Sequence, residues 1–108
     1  MQDRFKFRYF YKPLKIMYEF QEKDYLYEFA EKENYVLMQC TGSKDKNGKL
    51  VYEGDILKDR WGNIKPIEFK CGCFFWGLEE GSYWISDKDS EMEIIGNIYE
   101  NEELLYDW

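Results

Sequence analysis

Short runs in which apolar and polar residues alternate, each cut off by glycine, asparagine or proline, recur along most of this 108-residue chain. The clearest is Arg4-Phe5-Lys6-Phe7-Arg8-Tyr9, whose period of two puts aromatic side chains on one face of an extended strand and cations on the other. Pro13 ends it, and residues 15–20 read as a second strand that can fold back as a hairpin. Further strands are predicted over residues 36–41, 50–52, 56–58, 66–71, 73–77, 83–85 and 92–99. Residues 21–34 read as an irregular connection with one helical turn. Gly42 is expected to end its strand, Trp61-Gly62-Asn63 to make a turn, and Gly72 to mark a bulge or sharp bend. Asn101 followed by Glu102 and Glu103 has the composition of a helix N-terminus, so one short C-terminal helix closes the chain. The expected class is all-β, mainly β with that single helix, arranged as a small barrel or sandwich.

Length allows one domain with a real core but not two, so residues 1–108 are read as a single domain. Within it, an N-terminal β-segment of about residues 1–34 packs on a core of about residues 35–108. Aromatic residues make up 20% of the sequence, enough to order the chain despite 34% charged residues. The formal net charge is −7 and histidine is absent. That balance opposes loose binding to duplex phosphates or anionic lipid, both of which require Lys and Arg to displace counterions. No apolar stretch approaches the ~20 residues that span a bilayer, and the start lacks the apolar core of a signal peptide, so no membrane association and a location in the cytoplasm where the chain is made are expected. Three cysteines, Cys40, Cys71 and Cys73, fit reduced thiols better than a disulfide framework.

Candidate sites are few. Aligning Gly48 with the sixth position of a calcium loop makes Ser43, Asp45 and Asn47 ligands but puts Gly54 where a bidentate Glu is needed, so calcium is set aside. Instead, Asn47-Gly48 supply positive φ for a turn whose charged tip, Lys44 to Lys49, stays solvated. Gly54 permits a tight bend and Asp55 accepts backbone hydrogen bonds across it. Cys71-Gly72-Cys73 with Cys40 offers three thiolates where structural zinc usually takes four ligands, and packing of Cys71 and Cys73 on one strand face is preferred. No metal and no cofactor are expected. A histidine-dependent nucleophile is impossible and no phosphate-binding glycine loop is present, so the chain is read as a non-enzyme, with Glu79, Glu80, Glu91, Glu93, Glu102 and Glu103 as solvated surface. Arg4, Lys6 and Arg8 form a candidate interaction strand. It could follow a single-stranded nucleic acid, but alternation separates its cations from its aromatics, and a strand with aromatics in the core and cations meeting carboxylates is favoured.

Four groups of residues together resemble the YopX family of phage and prophage proteins: Phe5-Lys6-Phe7-Arg8 at the start; Leu37-Met38-Gln39 with Thr41-Gly42; Lys44 to Lys49 running into Val51-Tyr52-Glu53-Gly54-Asp55-Ile56; and Ile95-Gly96-Asn97-Ile98-Tyr99-Glu100-Asn101 with Leu104-Leu105. Gly42, Asn47, Gly48, Gly54, Asp55, Gly96 and Asn97 are the turn residues of that pattern. The resemblance implies a β-rich fold with an SH3-like barrel and a phage or prophage origin, and it brings no catalytic residues. The expected function is therefore that of an accessory protein acting through protein contacts, self-associating or meeting a host or phage protein. Exposed strand edges and the many Tyr and Trp residues favour such contacts. Single-stranded nucleic-acid binding through the N-terminal strand is the alternative.

Overall fold

The computed structural model describes residues 6–19, 33–77, 83–84 and 91–105. The expected connection over residues 21–34 falls almost wholly outside them, as do Arg4, Glu79, Glu80 and Ile85. Among the described residues the regular structure is strand apart from one short C-terminal helix, Glu102–Leu105, which is of the 3₁₀ type. The strands are β1 (Phe7–Tyr11), β2 (Ile16–Glu19), β3 (Tyr35–Lys44), β4 (Leu50–Tyr52), β5 (Asp55–Lys58), β6 (Ile64–Lys70), β7 (Cys73–Trp76), β8 (Tyr83–Trp84) and β9 (Glu93–Asn97). They form two antiparallel sheets, ordered β2-β1-β3-β4 and β8-β7-β6-β5-β9, curled into a half-barrel. The N-terminal hairpin is not a separate unit, because β1 pairs along its whole length with β3, from Phe7 opposite Gln39 to Tyr11 opposite Tyr35.

Two turns differ from the sequence reading for identifiable reasons, and a third takes one of its two expected forms. Gly42 does not end its strand: β3 runs on to Lys44, and between the pairs Cys40–Tyr52 and Lys44–Leu50 it carries two more residues than β4. The excess is absorbed as a bulge with Gly42 at φ 89°, where Thr41 Oγ1 donates to Val51 O (2.9 Å) and accepts from Ser43 N–H (3.1 Å). Of the two forms expected at Gly72, the structure shows the sharp bend and not the bulge. Lys70 pairs with Cys73 across a two-residue turn in which Cys71 (φ 54°) and Gly72 (φ 80°) are both left-handed, the geometry of a type I′ hairpin. Finally, in the 44–49 turn only Gly48 is left-handed, and Asp45 is buried rather than solvated.

One packed layer consists of Val51, Leu57, Ile67, Trp76 and Met92, with Phe74 and Ile94 against it. The Trp76 indole N–H donates to Leu57 O at 3.1 Å, so the largest core side chain leaves no buried donor open. Where the sheets meet, Phe10, Met38, Cys40 and Ile56 are buried. On β1 the alternation holds but its faces are reversed. Arg8 and Phe10 turn inward, and Phe7, Tyr9 and Tyr11 lie half-buried on the other side, where Tyr9 stacks on Tyr18 with ring centroids 5.2 Å apart. Phe10 makes the inner face apolar, and a buried carboxylate receives Arg8.

Candidate functional site

The bend between β4 and β5 carries the chain from one sheet to the other. Glu53 N–H donates to Gln39 O in the first sheet, Gly54 N–H to Ile67 O in the second, and Ile98 N–H to Gly54 O, each at 2.9 Å. Gly54 sits at φ 89°, and a Cβ there would meet Met38 Sδ at 3.3 Å and Tyr99 Cε2 at 3.4 Å. The position is closed to larger residues by conformation and by space. Asp55 follows, buried, accepting Tyr52 N–H at 2.8 Å on one oxygen and Arg8 Nη2 at 2.7 Å on the other. The Arg8 guanidinium also lies 4.7 Å from the centre of the Tyr52 ring, while its buried Nε has no hydrogen-bond partner. Burial pushes the Asp55 carboxyl above the ordinary aspartate range; the Arg8 charge and the Tyr52 N–H pull it down without offsetting that burial.

Asn97 closes the same junction from the other end. Its Oδ1 accepts from Tyr99 N–H (3.0 Å) and Glu100 N–H (2.9 Å), and its Nδ2 donates to Glu100 Oε1 (2.8 Å). Asn101 does not cap a helix as its position suggested. Its Oδ1 turns back to accept Asn97 N–H at 3.2 Å and lies against Gly96, where a Cβ would come within 2.7 Å of it. The turn thus delivers Tyr99, whose ring stacks on Phe10 at 5.3 Å. The resemblance residues from the N-terminal strand, the 37–42 strand, the 51–56 bend and the 95–101 turn therefore converge on one joint. Arg8, Gly54, Asp55, Gly96 and Asn97 are its parts.

The outer features lie elsewhere. Two turns share the spacing Asp-x-x-Gly and the same hydrogen bonding. In 45–49, Gly48 N–H reaches Asp45 O (3.0 Å), Asp45 N–H reaches Lys49 O (2.8 Å), and Asp45 Oδ1 accepts Asn47 and Lys49 N–H at 2.9 Å each. In 59–63, Gly62 N–H reaches Asp59 O (3.2 Å), Asp59 N–H reaches Asn63 O (3.0 Å), and Asp59 Oδ1 accepts Trp61 N–H (2.9 Å) and Asn63 N–H (2.8 Å). Asp at the first position and Gly at the fourth are what a type I turn of this kind selects, so the signal was present in the sequence. The turns do different work. Asp45 spends its second oxygen on Ile94 N–H at 3.1 Å, and Lys46 N–H reaches Met92 O, stitching the first turn to β9. Both oxygens of the Asp45 carboxylate thus accept from backbone donors.

The second turn instead holds Trp61 outward, 75% exposed, the most exposed of the large hydrophobic side chains among the described residues. The Arg60 guanidinium covers one side of the indole at 4.9 Å and pairs with Glu91. Desolvation is the largest single influence on Asp59 and pushes its carboxyl up, but the hydrogen bonds donated by Asn63 and Trp61, with the Lys65 charge, together outweigh it and hold that carboxyl below the ordinary range. At the far edge of the first sheet, β2 shows Ile16 and Tyr18, each 39% exposed. Of the candidate interaction strand, Lys6 is exposed and Arg8 is turned inward onto Asp55. Among the described residues the three cysteines do not form one metal-holding group: Cys40 is buried in β3, whereas Cys71, exposed, and Cys73, half-buried, flank Gly72.

A family model described as YopX protein matches residues 2–106, nearly the whole chain. The chain belongs to the YopX family. Its fold is similar to that in the crystal structure of protein EF1440 from Enterococcus faecalis, with a TM-score of 0.69 at 27% identity over 93% of this chain and 96% of that one. No curated protein matches. The YopX resemblance seen in the turn residues is thereby confirmed, and so is the all-β architecture. No helix among the described residues is long and apolar enough to cross a membrane.

Proposed function

We propose that this YopX-family chain is an accessory protein of phage or prophage origin that works in the bacterial cytoplasm through protein contact rather than catalysis, and that it self-associates. The observation that carries the reading is Trp61. A tryptophan left three-quarters exposed forgoes a large apolar burial, and here a turn clamped by Asp59 fixes its backbone at the tip while the Arg60 guanidinium lies over the indole. Rigid exposed aromatics with an adjacent arginine are the residues that dominate binding energy at protein interfaces, because little side-chain entropy remains to be lost. Lys58, Arg60 and Lys65 flank Trp61 in the same hairpin of a chain whose net charge is −7, so the acidic surface of a second copy is complementary to this tip.

Single-stranded nucleic acid is the second reading, favoured by the Arg60–Trp61 stack, since an indole with a neighbouring cation also receives bases. The inward turn of Arg8 removes one cation from the N-terminal route to the same function.

Fluorescence separates the two. The difference spectrum between wild type and Trp61→Phe isolates the emission of Trp61. Self-association shifts that emission to shorter wavelength as the protein is concentrated, without nucleic acid. A spectrum that stays unchanged with concentration, but is quenched by single-stranded DNA at low salt, rejects the first reading in favour of the second.

A further inference from the structure

Cys71 and Cys73 stand at the tip of the β6–β7 hairpin, on either side of Gly72. Cys71 is exposed, Cys73 is half-buried, and neither is in a disulfide. Cys71 occupies the first central position of a type I′ turn at φ 54°, a conformation that Asn, Asp and Gly adopt with less strain than other residues. Cys73 is the first residue of β7, fixed by its pairing with Lys70. Between them Gly72 contributes no side chain, and a Cβ built there would meet nothing within 4 Å, so the space over the turn is open. Cys40, fully buried in β3, is withheld from this pair.

We propose that Cys71 and Cys73 form a two-thiolate site for a soft, low-coordinate metal ion, with Cu(I) as its type. Two sulfurs fall short of the four ligands that structural zinc takes, and of the soft centres that thiolates favour, Cu(I) is the one that two-coordinate geometry suits. Binding forms two S–Cu bonds and releases the two thiol protons, and no electron is transferred. The ladder from Ile67–Trp76 to Lys70–Cys73 fixes the backbone that carries the second thiol, so only the two short side chains must be ordered when the ion binds.

The test is competition between the reduced, metal-free protein and a chromophoric Cu(I) chelator under anaerobic conditions. Wild type is expected to withdraw one Cu(I) per chain. Cys71→Asn retains the left-handed turn, so it is expected to leave the circular dichroism spectrum unchanged and raise the melting temperature while weakening Cu(I) binding at least tenfold. Cys73→Ser is expected to weaken it similarly, and Cys40→Ala to leave it unchanged. Failure of wild type to compete, or full retention by the Cys71→Asn/Cys73→Ser double variant, overturns the assignment.

Discussion

Replacing Asp55 with alanine tests whether the Arg8 contact fastens the N-terminal strand to the rest of the molecule. The two side chains are only 13% and 3% exposed, and the carboxylate satisfies both the guanidinium and Tyr52 N–H. Removing it leaves a mostly buried guanidinium without its counter-charge, a loss of about 3–5 kcal/mol, and a backbone donor without an acceptor, a further ~1–3 kcal/mol that shares part of the same desolvation. A total of about 4–6 kcal/mol is expected, a large part of the ~5–15 kcal/mol that holds a domain together. Arg8→Met should cost less, about 2–4 kcal/mol, because Asp55 keeps the Tyr52 hydrogen bond and can take up a proton. The signs with pH follow from the direction of the Asp55 shift. A carboxyl raised above its ordinary value of 3.8 favours the fold while protonated, and this contribution is lost as pH rises through the folded-state value. Without Arg8 that value rises further, so the deficit of Arg8→Met relative to wild type shrinks as the solution is acidified. Urea unfolding at several pH values, read as midpoint and slope, measures all of this. An Asp55→Ala variant within about 1 kcal/mol of wild type, an effect typical of an exposed pair, refutes the reasoning.

Gly96→Ala places a Cβ 2.7–2.8 Å from three atoms of Asn101 and must displace the side chain that holds Asn97 N–H. A loss of ~1–3 kcal/mol is expected, seen by calorimetry as a fall in melting temperature of about 5–15 °C. Asp45→Ala removes the acceptor for the amides of Asn47, Lys49 and Ile94. Water replaces it at the exposed Asn47 and Lys49, so the cost is about 2–3 kcal/mol and is concentrated on Ile94. Hydrogen exchange should show the Ile94 amide losing protection while Ile67 in β6 keeps its own; equal loss at both sites contradicts a local role.

Strand positions were legible because a period of two survives in a short sequence, and the Asn-Gly and Glu-Gly-Asp turns were legible because few residues tolerate their geometry. What failed was the inference from a turn residue to its consequence. Gly42 and Gly72 both announce an unusual φ, but whether the chain bulges and continues or reverses depends on which strand pairs across it, and that is a long-range fact. The inner face of β1 was misassigned for a related reason. Arg8 looks like a surface residue until Asp55, far along the sequence, supplies a buried partner. Asp59 and Trp61 were legible as a turn, but the exposure of Trp61 depends on the absence of a packing neighbour, which no local pattern encodes.

Sedimentation equilibrium of wild type and Trp61→Ala over a concentration series, at moderate salt and under reducing conditions, tests the protein-contact reading most directly. Reversible association of the wild type at micromolar concentration is predicted, weakened at least tenfold by Trp61→Ala with unchanged circular dichroism. A wild type that remains monomeric throughout the series, or an association constant that Trp61→Ala leaves intact, contradicts it.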